Sequence, residues 1–361
     1  MNNEQAISSH NAPKRLDTLQ PYKSLDSMMT KDKSSHAAIA LFSGGLDSLL
    51  AVKWMQKAGY TIYPVYFLTP YMPSARALES AAANGIDLIV RDISEEHLEM
   101  MKNPTSGFGK QINPCIDCHA LMFRIAGDMM PEIGADFLIS GEVLGQRPMS
   151  QRRDAMNRVG RLSGYRDLLV RPLSQKLLRA TTPILEEWVD IDDMLDISGR
   201  GRYRQLELAK ELGIKDFPTP AGGCLLTDKN YTIRLRDLME KDQMDAQNLE
   251  LLKYGRHFRL DDFSKVIIGR DERENSILDG NSRGLIKLKA RDYTGPLGLI
   301  TNDSPSSKTL STALDFFWFY HNRAPASGVV QITMPDGSTK EQLANKADAE
   351  TMIGLRLSQD N

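Results

Sequence analysis

Across 361 residues the chain has only three cysteines: Cys115, Cys118 and Cys224. Three cannot form the disulfide framework of a secreted scaffold, and two of them share a C-x-x-C, so the set points to a reducing compartment and to metal or redox chemistry. Charge of one sign is also missing, with 45 Lys and Arg against 47 Asp and Glu. Any case for a nucleic-acid partner must therefore be local. No apolar run approaches the roughly 20 residues that span a bilayer. The first 36 residues hold no apolar block of the kind that heads a secretory signal, so a cytoplasmic protein that engages no membrane is expected. They are rich in Ser, Asn, Lys and Asp, and they read as a mobile tail unable to offset its ordering entropy.

Order is expected to begin at Ala37. The apolar run 37–42 ends at Ser43-Gly44-Gly45, the mark of a buried strand. Helical spacing follows over 46–57 and stops at Gly59. Strand-like runs at 61–68, 86–92 and 135–140 alternate with helical stretches at 74–84 and 120–133. This pattern predicts an α/β fold, a doubly wound parallel sheet. Residues 142–180 read as loop-rich and basic, followed by helices near 190–197 and 203–212. Beyond Asp228 the pattern changes to a charged helix over 234–253, then to short strand-like runs at 266–269, 285–288 and 329–332. The expected domains are 37–228, a helical connector over 229–250, and a smaller C-terminal α+β domain over 251–361.

The turn Ser43-Gly44-Gly45-Leu46-Asp47-Ser48 joins a buried strand to a helix. Two glycines let the backbone approach a bulky anion, and the helix start offers free N–H groups and partial positive charge. The Gly-Lys-Ser/Thr ending of a Walker loop is missing, which argues against a kinase or motor site. The hexapeptide resembles the PP-loop of the N-type ATP pyrophosphatases, a superfamily that includes argininosuccinate, GMP and NAD synthetases and the tRNA thiolation enzymes. The resemblance implies ATP on Ser43, Gly44, Gly45, Leu46, Asp47 and Ser48, with Phe67 and Gly141 also lining the site. ATP would be cleaved between its α and β phosphates. Asp47 would organise Mg2+ and pyrophosphate, in keeping with the preference of magnesium for carboxylate and phosphate oxygens.

The cysteines sit in Asn113-Pro114-Cys115-Ile116-Asp117-Cys118-His119 and Gly222-Gly223-Cys224, Pro- or Gly-marked segments that read as loops. A C-x-x-C can bring two thiolates to one metal, and the glycines leave room for a third. Both segments are similar to those of the tRNA 2-thiouridylases, which implies that Cys118 is the catalytic cysteine and Cys224 its partner. Cys115 departs from that family, where aspartate is usual, and resembles instead a branch of PP-loop tRNA thiolases that holds a 4Fe–4S cluster on three cysteines. The expected cofactor is a 4Fe–4S cluster on Cys115, Cys118 and Cys224 with one open iron; the alternatives are a persulfide on Cys118 resolved by Cys224, and zinc, which lacks a fourth ligand.

Between Gln146 and Arg179 lie nine Lys or Arg and only two acids, and Arg200, Arg202 and Arg204 add a second basic cluster. Such an arginine-rich, one-sided surplus suits phosphate. Arg147, Arg152, Arg153, Arg171, Arg200 and Arg202 are the candidate RNA contacts. Farther on, Gly255-Arg256 and Gly269-Arg270 with Asn275 form a pattern similar to the NFACT RNA-binding domain. The aromatic run Phe316–Tyr320 reads as core, and His257 and His321 receive no role. Together these resemblances imply an ATP-dependent tRNA sulfurtransferase that adenylates a uridine carbonyl oxygen and replaces it with sulfur. The expected partners are tRNA and a sulfide or persulfide donor, with 4-thiouridine favoured over 2-thiouridine as product. The alternatives are a PP-loop amide- or nitrile-forming ligase with structural zinc, and an RNA-binding protein that senses nucleotide without turnover.

Overall fold

The computed structural model describes residues 36–72, 75–217 and 224–359. The expected tail over 1–36, apart from His36, lies outside the described residues, as do Ser74, Gly222 and Gly223. The chain divides after Cys224 into two compact units. The helices over 229–251, expected as a connector, fall within the second.

The first unit runs β1 Ala37–Leu41, α1 Leu46–Lys57, β2 Thr61–Leu68, α2 Ala75–Ala83, β3 Ile89–Asp92, α3 Ser94–Lys102, α4 Cys115–Ile133, β4 Phe137–Ser140, α5 Arg153–Ser163, β5 Leu169–Val170, α6 Thr182–Leu185 and α7 Tyr203–Glu211. The strands are all parallel, in the order β3-β2-β1-β4-β5. Alternate residues of β1 feed opposite layers. Ala38 and Ala40 join a core with Leu49, Val52 and Met55 of α1 and Leu78 of α2. Ala37 and Ile39 join Leu121, Phe123 and Met130 of α4 and Val159 of α5. Burial on both faces is why these strands read as unbroken apolar runs. The sheet is doubly wound, as expected. Strand order reverses at β1, which has β2 on one side and β4 on the other, so a ligand crevice is expected outside the carboxyl ends of β1 and β4.

Three local expectations are corrected. The basic segment is not all loop: α5 buries Ala155, Met156, Val159 and Gly160, small or apolar positions set among arginines. The helix expected near 190–197 is only a single 3-10 turn at Ile191–Asp193, begun by the Asp190 carboxylate accepting from the Asp192 N–H at 2.9 Å. The expected helix over 234–253 is two helices, α8 Lys229–Glu240 and α9 Ala246–Leu251. Asp242 between them has φ +52°, and Asp245 caps α9 by accepting from the Asn248 N–H.

The second unit continues with β6 Arg256–Arg259, β7 Lys265–Ile268, α10 Glu272–Gly280, β8 Ile286–Ala290, β9 Gly298–Ile300, α11 Ser307–Phe319, β10 Ser327–Thr333, β11 Thr339–Asn345 and α12 Ala349–Leu355. The strands form an antiparallel sheet ordered β11-β10-β8-β9-β7-β6. Phe316, Phe317 and Trp318 of α11 are buried in its main core, so the aromatic run is packing, as expected. Gly328 is there because a Cβ would fall 2.1 Å from the Trp318 ring.

Candidate active site

The Ser43–Ser48 turn and Gly141 meet at the carboxyl ends of β1 and β4, where the strand order places a crevice. Gly44 has φ +76°, and a Cβ there would lie 2.5 Å from the Ala77 Cα. A Cβ on Gly141 would stand 2.4 Å from the backbone oxygen of Asp47. Both glycines are therefore required by close backbone approach. The Ser48 hydroxyl donates to the Gly45 carbonyl at 2.8 Å and accepts from the Ser43 backbone N–H at 3.3 Å. Helix α1 opens on Gly45 with no side-chain cap, so its first N–H groups face the turn free for an anion.

Two of the residues expected to line the nucleotide do not present side chains to it. Phe67 is buried on the α4 side of the sheet, and Leu46 packs with Leu50, Val143 and Leu208. Their backbones are what the site can use. Asp47 is held firmly: its Oδ2 accepts from Gln146 Nε2 at 2.5 Å and from Arg202 Nη2 at 3.0 Å, while its buried Oδ1 has no partner. Gln205 Nε2 in turn fixes the Gln146 carbonyl at 2.9 Å. Arg202, expected on RNA, instead pairs with the carboxylate of the nucleotide turn. The unpartnered Oδ1 fits a Mg2+ site, because magnesium is commonly bound by one or two carboxylates together with substrate phosphates.

The C-x-x-C is not in a loop. Cys115 and Cys118 occupy the first turn of α4, three residues apart and so on one face of the helix. Asn113 Nδ2 donates to Cys115 Sγ at 3.2 Å. His97, from α3, places Nε2 3.3 Å from Cys118 Sγ. Burial holds the His97 pKa at about 4, so its ring is neutral at pH 7. Burial of the Cys118 thiol, then the charges of Cys224, Cys115 and Asp117, push its pKa well up. Burial, then Cys224, also raises the hydroxyls of Tyr66 and Tyr71. The three thiols thus share one neighbourhood, and Cys224 is beside β2 and the turn after it.

A ligand set for a single metal ion is not preformed among them. Among the described residues no three or more His, Cys, Asp or Glu side chains are gathered so as to hold a metal ion. Zinc therefore has no preformed site among these residues.

Glu142 links the two halves of the site. It lies directly after Gly141, accepts from or shares a proton with His119 Nδ1 at 3.0 Å, and accepts from Arg171 Nε at 2.7 Å. Burial alone would raise the Glu142 carboxyl, but Arg171 and His119 outweigh it and hold the pKa at about 2. Arg171 is correspondingly buried against Glu142, and its expected role on RNA is corrected to one of holding this carboxylate. Arg147, Arg152, Arg153 and Arg200 are exposed. Arg152 spends its charge on Asp154 at 2.8 Å, an exposed pair that contributes little.

In the second unit the two Gly-Arg pairs lie together, because the β6–β7 register sets Arg256 opposite Ile268. The Arg256 guanidinium stands 4.4 Å from the Tyr320 ring centroid and donates to the Gly269 carbonyl. Arg270 pairs with Glu274. Asn275 is structural, accepting from the Leu297 N–H at 2.9 Å.

Comparison with known proteins agrees with this division. Residues 33–174 match the family model described as thiamine biosynthesis protein (ThiI). The first unit carries a ThiI-type domain. Residues 255–353 match the NFACT protein RNA binding domain, so the second unit carries an NFACT-R_2 domain. Cys224 lies beyond the ThiI-matched stretch. A probable tRNA sulfurtransferase of Methanosarcina mazei is 26% identical over 237 residues, covering 62% of this chain and 51% of that protein. One from Methanosarcina acetivorans is 33% identical over 30% of this chain and 28% of its own length. The tRNA-specific 2-thiouridylase MnmA of Sulfurimonas denitrificans is 33% identical over 28% of this chain and 33% of its own. The chain thus spans about half or less of the length of these relatives.

His97 was not found from the sequence. His97 precedes Cys118 by 21 residues with no spacing that marks it, and only the packing of α3 beside α4 brings the two together.

Proposed function

We propose that the protein is an ATP-dependent tRNA sulfurtransferase that converts a uridine to 4-thiouridine. The observation that carries this reading is a nucleotide turn and a three-thiol site in one unit, joined through Glu142, in a chain similar to tRNA sulfurtransferases over 62% of its length. ATP binds with its phosphates on the free N–H groups of the Ser43–Ser48 turn. Mg2+ on Asp47 Oδ1 would draw charge from the departing pyrophosphate. The uracil O4 attacks the α phosphorus, pyrophosphate leaves, and O4 becomes a good leaving group as AMP.

Sulfur then arrives as a persulfide on Cys118, loaded from an external persulfide carrier. Its terminal sulfur attacks C4 and AMP departs. The Cys224 thiolate attacks the Cys118 sulfur, breaking the S–S bond to release the thiocarbonyl and leave a Cys118–Cys224 disulfide. An external thiol reductant reopens it. Asn113 and His97 orient the Cys115 and Cys118 sulfurs.

Purified protein, ATP, Mg2+, unmodified tRNA transcript and a persulfide donor test the reading. The expected result is tRNA-stimulated release of AMP and pyrophosphate, with a nucleoside that co-elutes with 4-thiouridine. Release of AMP without tRNA would favour the small-molecule ligase. RNA binding without any ATP cleavage would favour the nucleotide sensor.

A further inference from the structure

Beside the edge strand β5 lies a cavity of about 170 Å³, lined by Arg153 of α5 and by Arg166, Arg171 and Arg179, with Asn157 and Thr181 as neutral polar partners. It is one strand removed from β4, and none of the residues assigned to ATP or to the thiols lines it. Four arginines line it, and Asp167 is the one acid in the lining. Arg171 is neutralised by Glu142. Arg153, Arg166 and Arg179 form no ion pair among the described residues. Three unpaired cations around one concavity repel one another and focus positive potential into it. That arrangement is stable with an anion present, and the forked guanidinium matches phosphate oxygens two at a time. At about 30 Å³ per water the volume equals five or six waters, enough for a phosphoryl group and part of its ribose.

We propose that this cavity is a phosphoryl-binding site, which on the tRNA reading above seats a backbone phosphate of the RNA. Arg166 and Arg179, from segments flanking β5, grip the phosphate from two sides, and Arg153 closes the site from α5. The inference rests on the tRNA reading only for the source of the phosphate, not for the chemistry of the site.

The test uses the full chain and the double variant Arg166→Ala/Arg179→Ala, with Arg161→Ala, outside the cavity, as the control. One arm titrates inorganic phosphate by calorimetry, and the other measures tRNA affinity across a salt series. We expect the double variant to lose phosphate binding and to bind tRNA about tenfold more weakly, with a salt slope shallower by about 1 to 2. ATP affinity should be unchanged. A changed slope assigns the phosphate to RNA. Phosphate binding lost with the slope unchanged assigns the site to free phosphate. If wild-type protein shows no tRNA affinity, the tRNA reading fails and the phosphate arm alone decides the site. Equal behaviour of wild type and double variant in both arms overturns the proposal.

Discussion

Lys265 makes the stability of the second unit depend on pH. It is fully buried in β7, and its Nζ has no hydrogen-bond partner. Burial lowers its pKa from 10.5 to about 7, with Asp237 opposing the shift and Arg259 adding to it. Because the folded value lies below the unfolded one, protonation favours the unfolded chain. The deficit is complete below about pH 7 and is relieved as pH rises from 7 to 10.5. Lys265→Met removes the charge while keeping a long apolar chain, and should stabilise the second unit at pH 7 by about 1–3 kcal/mol. Thermal melts of wild type should improve between pH 7 and 9.5, while those of the variant stay flat over that range. Equal melting temperatures at pH 7 would contradict this account of Lys265. At the same scale, half-buried Asp47 in the nucleotide turn and buried Glu142 beside the thiols are both carboxylates held by arginine.

Among the elements, the packing of β4 on the start of α1 matters most for the nucleotide turn. Gly141→Ala would force a Cβ into the Asp47 backbone and separate the two, at a cost of about 1–3 kcal/mol for overpacking. The expected outcome is a lower melting temperature for the first unit together with weaker ATP binding, read by calorimetry. Wild-type ATP affinity in that variant would show that the turn does not depend on β4. Strands β1 to β4 could be read from sequence, β1, β2 and β4 because both their faces are buried, as could the glycine turn and the three cysteines, whereas the two-residue β5 fell in a stretch that read as loop. Helix α5 was hidden because its inward face is small and its outward face is arginine. In β11 only Ala344 is buried, and its remaining polar residues carry no strand signal. A single Asp pair, Asp242 and Asp245, divided what read as one helix. Cys115 and Cys118 were expected in a loop because Asn113-Pro114 marks a break. Pro114 is instead the cap from which α4 starts, so the thiols ride on the helix.

At the scale of the molecule, a net charge of -2 conceals an arginine-rich first unit and a second unit of the NFACT RNA-binding type. Each unit has its own sheet and core. The first combines a nucleotide turn with thiols on a helix start, the groups that the proposed sulfur transfer requires. The central claim is that Cys118 and Cys224 pass that sulfur as a pair, without a three-thiolate cluster. Nucleoside mass spectrometry of tRNA treated with ATP, a persulfide donor and each of Cys115→Ser, Cys118→Ser and Cys224→Ser tests it most directly. The account predicts thiouridine from wild type and from Cys115→Ser, and none from Cys118→Ser or Cys224→Ser. Loss of thiouridine in all three variants, with iron bound to anaerobically purified wild type, would contradict it.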